Sequence, residues 1–125
     1  MEEKSVQSHR DLKVWQKAMD LAEVVYGLAA KFPRTETYRL GSQITRAVAS
    51  VPANIAEGNA RGTKRDYAHF VSVAKGSLME TETYLMLAVR LRYLGKEETA
   101  TALNLVTEIS KMLTVLRSRL IAYTP

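Results

Sequence analysis

Residues 63–95 read TKRDYAHFVSVAKGSLMETETYLMLAVRLRYLG, and their pattern decides the fold. Tyr67, Phe70, Val71, Ala74, Leu78, Thr81, Leu85, Ala88 and Leu91 keep a spacing of three and four residues, which gathers them on one face of a long α-helix. Thr63-Lys64-Arg65-Asp66 has the form of a capping box, with aspartate in place of the preferred glutamate, and marks the start. Gly95 supplies the expected stop. A helix with one apolar face must cover that face with neighbours.

Those neighbours lie on either side. Upstream, Leu40, Ile44, Ala47, Val48, Val51 and Ile55 form the apolar face of a helix over residues 36–60. Pro52 falls inside it and removes one backbone donor. Because the stripe stays in phase through Ile55, the spacing predicts one kinked helix; a break at Pro52 is the alternative. Further upstream, Leu12, Trp15, Met19, Ala22, Tyr26 and Ala29 predict a helix over 11–31, with Asp11 as N-cap or first-turn acid and Phe32-Pro33 ending it. Downstream, Leu103, Val106, Ile109, Leu113, Leu116 and Leu120 predict a helix over 97–121. The connections are short, so successive helices are antiparallel neighbours. The expectation is an all-α, antiparallel up-down-up-down four-helix bundle over residues 11–121, behind a flexible segment at 1–10.

Composition sets bounds on function. The 125 residues suit one domain, and the absence of cysteine excludes disulfides and thiolate metal sites. The N-terminus is polar and shows no secretory signal, and no apolar run approaches the roughly 20 residues of a membrane span. A cytoplasmic location without membrane contact is the resulting expectation. The net charge of +5 is uneven: residues 31–65 hold seven Lys/Arg against two Asp/Glu, while the rest of the chain is balanced. Such an excess is compatible with a polyanionic partner.

Enzyme chemistry finds no foothold in the spacing. A di-metal bundle site needs Glu-x-x-His pairs, and neither His9 nor His69 lies three residues after a glutamate. Glu57 and Glu80 without imidazole make a poor transition-metal site. Ser42, Ser50, Ser72 and Ser77 have no histidine at helical spacing, and Gly58-Asn59-Ala60-Arg61-Gly62 matches no phosphate-binding glycine loop. The expectation is a non-enzyme with no metal and no cofactor.

Two other features are more informative. Gln43, Arg46, Ser50, Asn54 and Glu57 form a polar stripe beside the apolar face of the second helix, and Gly76-Ser77, Glu80 and Thr83 sit comparably on the third. A solvated flank is one reading. Short amides and hydroxyls rather than a Lys/Glu mixture favour the other, a half-buried contact between helices or subunits. The second feature is a basic end. Up-down-up-down topology places Arg61, Lys64 and Arg65 beside Arg10, Lys13, Lys17, Arg117 and Arg119, against Asp11, Glu57 and Asp66. The amino end of the third helix points the same way and adds free backbone donors for phosphate. A merely solvated helix end competes with phosphate-backbone contact, and no aromatic platform supports base reading.

Asp11-Leu12-Lys13-Val14-Trp15-Gln16-Lys17-Ala18 resembles the opening of the bacterial family of 23S rRNA intervening-sequence proteins. The stretch Phe32-Pro33, Glu36, Leu40, Gln43-Ile44, Arg46-Ala47, Ser50-Val51-Pro52 and Asn54-Ile55-Ala56-Glu57-Gly58 is similar to its central signature. Gly76-Ser77-Leu78, Glu80 and Glu82 look like its third-helix motif. The resemblance runs from about residue 11 to 120, and Asn-Ile-Ala-Glu-Gly is its most specific block. It implies a four-helix bundle with no established catalytic residues. Through the related accessory proteins of diversity-generating retroelements it implies a homopentamer that binds RNA or DNA and a reverse transcriptase. The alternative is a structural or protein-interaction module without a nucleic-acid role.

Overall fold

The structure, a computed structural model, describes residues 8–122. Its helices are α1 (Lys13–Ala29), α2 (Leu40–Asn59), α3 (Lys64–Arg90) and α4 (Lys96–Ile121), with short 3-10 turns at His9–Asp11 and Arg34–Glu36. Among the described residues there is no strand. α1 and α3 each lie against α2 and α4, and neither diagonal pair meets, so the four rods form a square bundle as the periodicity predicts. The flexible segment expected at 1–10 lies mostly outside the described residues; its last part is the turn at His9.

The core is aliphatic. Leu21, Ile44, Ile55, Leu78, Leu85, Ile109 and Leu113 are fully buried, each contributing about 1.5–3 kcal/mol by leaving water. The apolar face expected on α2 is buried throughout, and the helix runs unbroken through Pro52, whose ring is itself buried. On α1 the expected stripe is displaced. Val14, Ala18, Leu21, Val25 and Leu28 face the core, whereas Met19 and Tyr26 are exposed. Both rows are apolar and step by three and four along the helix, so spacing alone could not choose. The compact aliphatic row fills the interior, and Trp15, Ala22 and Ala29 pack on its flank. On α3, Leu91 is likewise exposed, because the helix has already ended.

The ends differ from expectation for local reasons. Leu12, not Asp11, is the N-cap of α1, and no side chain caps there; Asp11 belongs to the preceding turn. α2 starts four residues late because Glu36 turns inward, and the Leu40 N–H donates to its Oε1 at 3.2 Å. Thr63 does cap α3, accepting the Asp66 N–H at 3.1 Å. Gly95 does not stop it. α3 closes in a Schellman turn, with Tyr93 N–H donating to Ala88 O at 2.9 Å and Arg92 N–H to Val89 O at 3.0 Å. The left-handed residue is Arg92, at φ 63°. Gly95 instead begins α4, its N–H donating to Glu98 Oε1 at 2.8 Å. The Lys31 ammonium, hydrogen-bonded to Glu98 at 2.8 Å, and that N–H hold the Glu98 carboxyl below its ordinary value.

A non-glycine residue in the left-handed region is strained, and glycine is not. Arg92→Gly is therefore expected to stabilise the fold by about 0.5–1 kcal/mol, part of the strain relief being lost to chain entropy. A melting temperature equal to or below the wild type would contradict the assignment of strain at this turn.

Candidate nucleic-acid interface and polar seam

The polar stripe lies at the junction of α2 and α3, the most extensive helix contact in the bundle. Ser77 Oγ donates to Ser50 Oγ at 2.9 Å, and Asn54 Nδ2 donates to both the Ser50 carbonyl and Ser50 Oγ at 2.8 Å. The Tyr84 hydroxyl reaches across to Gln43 Oε1 at 3.1 Å. Gln43, Arg46, Ser50, Ser77, Glu80 and Tyr84 line a cleft of about 220 Å³ between the two helices. Small groups at Ala47, Ser50 and Ser77 let the helices approach, and the hydroxyls and amide then satisfy one another rather than water. The arrangement is an inter-helix seam with an open outer edge, where Gln43, Arg46 and Glu80 are exposed. Glu57 is not part of it: its carboxylate pairs with Arg61 Nε at 3.3 Å, one turn further along. Of the third-helix residues, Ser77 and Glu80 join the cleft. Thr83 bonds its own helix at Met79 O, and Gly76 has open space around it.

At the other candidate site, the topology gathers the start of α1, the end of α2, the start of α3 and the end of α4 at one end of the bundle. The eight cations named from the sequence are not equivalent there. Lys17 Nζ pairs with Glu108 at 2.9 Å, an acid that the sequence reading did not place at this end. Arg61 lies 4.7 Å over the Phe70 ring while paired with Glu57. Arg117 Nε donates to Ser72 Oγ at 2.6 Å. Lys13 and Arg119 edge a groove between α1 and α4 together with Lys111, which the sequence reading also passed over. Arg10, Lys64 and Arg65 are exposed around the first turns of the chain and of α3. Including Lys111 and Glu108 leaves the local charge at nine cations against four acids, so the end stays strongly positive. Tyr67 lies below it, half-buried, and burial raises its phenol above the ordinary value while the Asn59 amide hydrogen bond opposes the rise.

The aromatic rings near the cations are engaged in packing. His9 stands edge-on to Trp15 at 5.0 Å, and Phe70 meets both His69 and Arg61. Among the described residues at this end, no aromatic ring stands free as a base-stacking platform. Among the described residues no group of three His, Cys, Asp or Glu converges as a metal site would require, and no helix is long and apolar enough to cross a membrane.

Fold and surface together define a four-helix-bundle protein distinguished by a polar inter-helix seam and a cationic end. The chain belongs to the 23S rRNA-intervening sequence protein family, whose model matches residues 10–115. It is also similar to a crystal structure of a protein of unknown function from the S23 ribosomal protein family of Bacteroides thetaiotaomicron VPI-5482. That likeness has a TM-score of 0.78 at 27% identity, covering 83% of this chain and 97% of the other. No curated protein matches the chain.

Proposed function

We propose that the protein is a non-catalytic, self-associating cytoplasmic bundle that holds RNA or DNA by its phosphate backbone at the basic end. The observation that carries this reading is the gathering of cations from α1, α3, α4 and the α2–α3 connection at one end of the bundle, where α3 begins. The helix dipole there adds to the attraction for phosphate. Charge contacts of this kind position a strand without reading its sequence. The family description, with its reference to 23S rRNA, makes RNA the polyanion to test first. The resemblance to retroelement accessory proteins adds a reverse transcriptase as a protein partner to try.

The test is a titration of labelled RNA at several salt concentrations. Affinity is expected to fall steeply with salt, because each neutralised phosphate releases counterions. Replacing Arg61, Lys64 and Arg65 together with alanine should weaken binding roughly tenfold or more and lower the salt slope by about 2–3, leaving the helical spectrum unchanged. Affinity independent of salt, or equal in the triple variant, would reject the reading.

A protein-interaction module without a nucleic-acid role is the second reading. The exposed apolar residues Met19, Tyr26 and Val115 favour it. It predicts that RNA is not bound even at low salt.

A further inference from the structure

We infer that the groove between the start of α1 and the end of α4 receives the outer face of α1 from a second copy of the chain, in a head-to-tail contact. The inference rests on the self-association in the reading above and specifies its two surfaces. The groove measures about 380 Å³; Met112, Val115 and Leu116 lie along it, and Lys13, Lys111 and Arg119 edge it. Val115 is 49% exposed, a large apolar side chain left in water. No acid lines the groove, and the side chains of the three cations have no partner among the described residues. An apolar floor inside a cationic rim suits an amphipathic acidic surface better than bare phosphate, which gains nothing from Met112 or Val115.

The same molecule carries such a surface. Met19, Glu23 and Tyr26 step by four and three along the outer face of α1, with Asp20 on their flank. Met19 is 44% and Tyr26 52% exposed, and neither Asp20 nor Glu23 has a cationic partner among the described residues. The lengths agree. Lys111 to Arg119 spans about 12 Å of helix and Met19 to Tyr26 about 10 Å, at 1.5 Å per residue. Single exposed apolar residues are ordinary on any protein. Two apolar strips of similar length and opposite charge, on different faces of one chain, are a complementary pair.

Because groove and ridge are different surfaces, joining them is heterologous, and repeated joining closes a ring or extends a filament. Assembly also withdraws Lys13 and Arg119 from solvent. Phosphate contact then falls to Arg10, Arg61, Lys64 and Arg65, so the two activities are separable by mutation.

The experiment is light scattering coupled to size exclusion on the full chain at micromolar concentration, with circular dichroism to confirm folding. The groove variant carries Lys111→Glu and Arg119→Glu; the ridge variant carries Asp20→Lys and Glu23→Lys. All four positions are exposed, so neither pair disturbs the core. Each variant is expected to fall to the mass of one chain, and the chain carrying all four changes is expected to recover the wild-type mass. A wild-type monomer would overturn both this inference and the self-association on which it rests. Either pair variant keeping the wild-type mass would overturn the interface alone, as would a fourfold variant that stays monomeric. RNA titration of the Arg61, Lys64 and Arg65 triple alanine variant reports on the phosphate reading separately, since none of those three residues lies on the groove or the ridge.

Discussion

Replacing Gly58 with valine is expected to cost about 3 kcal/mol of folding stability and to lower the melting temperature by roughly 10 °C. Gly58 is buried near the end of α2, where the helix leans on the first turns of α3. A Cβ there would stand 2.9 Å from Phe70 Cβ, 2.9 Å from Tyr67 Cδ1 and 3.2 Å from the Tyr67 carbonyl oxygen. None of these is the loose end of a flexible side chain, so the helices themselves must part. Its φ is not positive, which makes the requirement one of space and not of backbone freedom. Gly76→Ala is the control. Nothing lies within 4 Å of its Cβ position, and in mid-helix alanine should gain about 0.5–1 kcal/mol over glycine. If Gly58→Val melts with the wild type, the close approach of α2 and α3 is wrong.

That glycine also explains why Asn54-Ile55-Ala56-Glu57-Gly58 is so specific a block. Ile55 is a fully buried core residue, Asn54 is tied back to Ser50, and Gly58 sets the distance to α3. The motif is a packing solution for one helix pair.

The bundle was legible because the apolar spacing on α2, α3 and α4 admits one face each. It was ambiguous on α1, where two interleaved rows satisfy the same period, and only packing separates Val14–Leu28 from Met19 and Tyr26. Gly95 misled because glycine serves either side of a loop. The local sequence of Arg92 carries no sign that the Schellman turn falls there. Ser50 and Asn54 were recognisable as unlike a solvated face, but the partner of Ser50 on α3, Ser77, sits 27 residues away in sequence and was visible only as a parallel position. Cations could be assigned to one end from topology alone. Which of them are engaged depends on Glu108 and Ser72, whose side-chain directions no spacing rule supplies.

Glu36 is the residue least readable in advance, and Glu36→Ala is expected to cost about 2–3 kcal/mol. Only 7% of its surface is exposed. Its two carboxylate oxygens serve different elements: Oε1 accepts the first N–H of α2 at Leu40, and Oε2 accepts the Tyr93 hydroxyl at 3.2 Å. One side chain thus caps α2 and fastens the α1–α2 connection to the α3–α4 turn, 57 residues away. Alanine leaves a helix-end donor and a half-buried hydroxyl without partners, and such losses exceed the net worth of the bonds themselves. Arg39, 3.7 Å away on the exposed side, contributes little by comparison. Tyr93 supplies a second readout. Its phenol is raised above the ordinary value of 10.0 by burial and then by the hydrogen bond and charge of Glu36, with Arg39 opposing. Glu36→Gln removes the charge while keeping an acceptor, so the Tyr93 titration, followed by NMR on labelled tyrosine, should move down towards that value. A destabilised Glu36→Ala chain in which Tyr93 still titrates unchanged in Glu36→Gln would mean that Glu36 acts through α2 alone, and that the clamp between the two loops is not made.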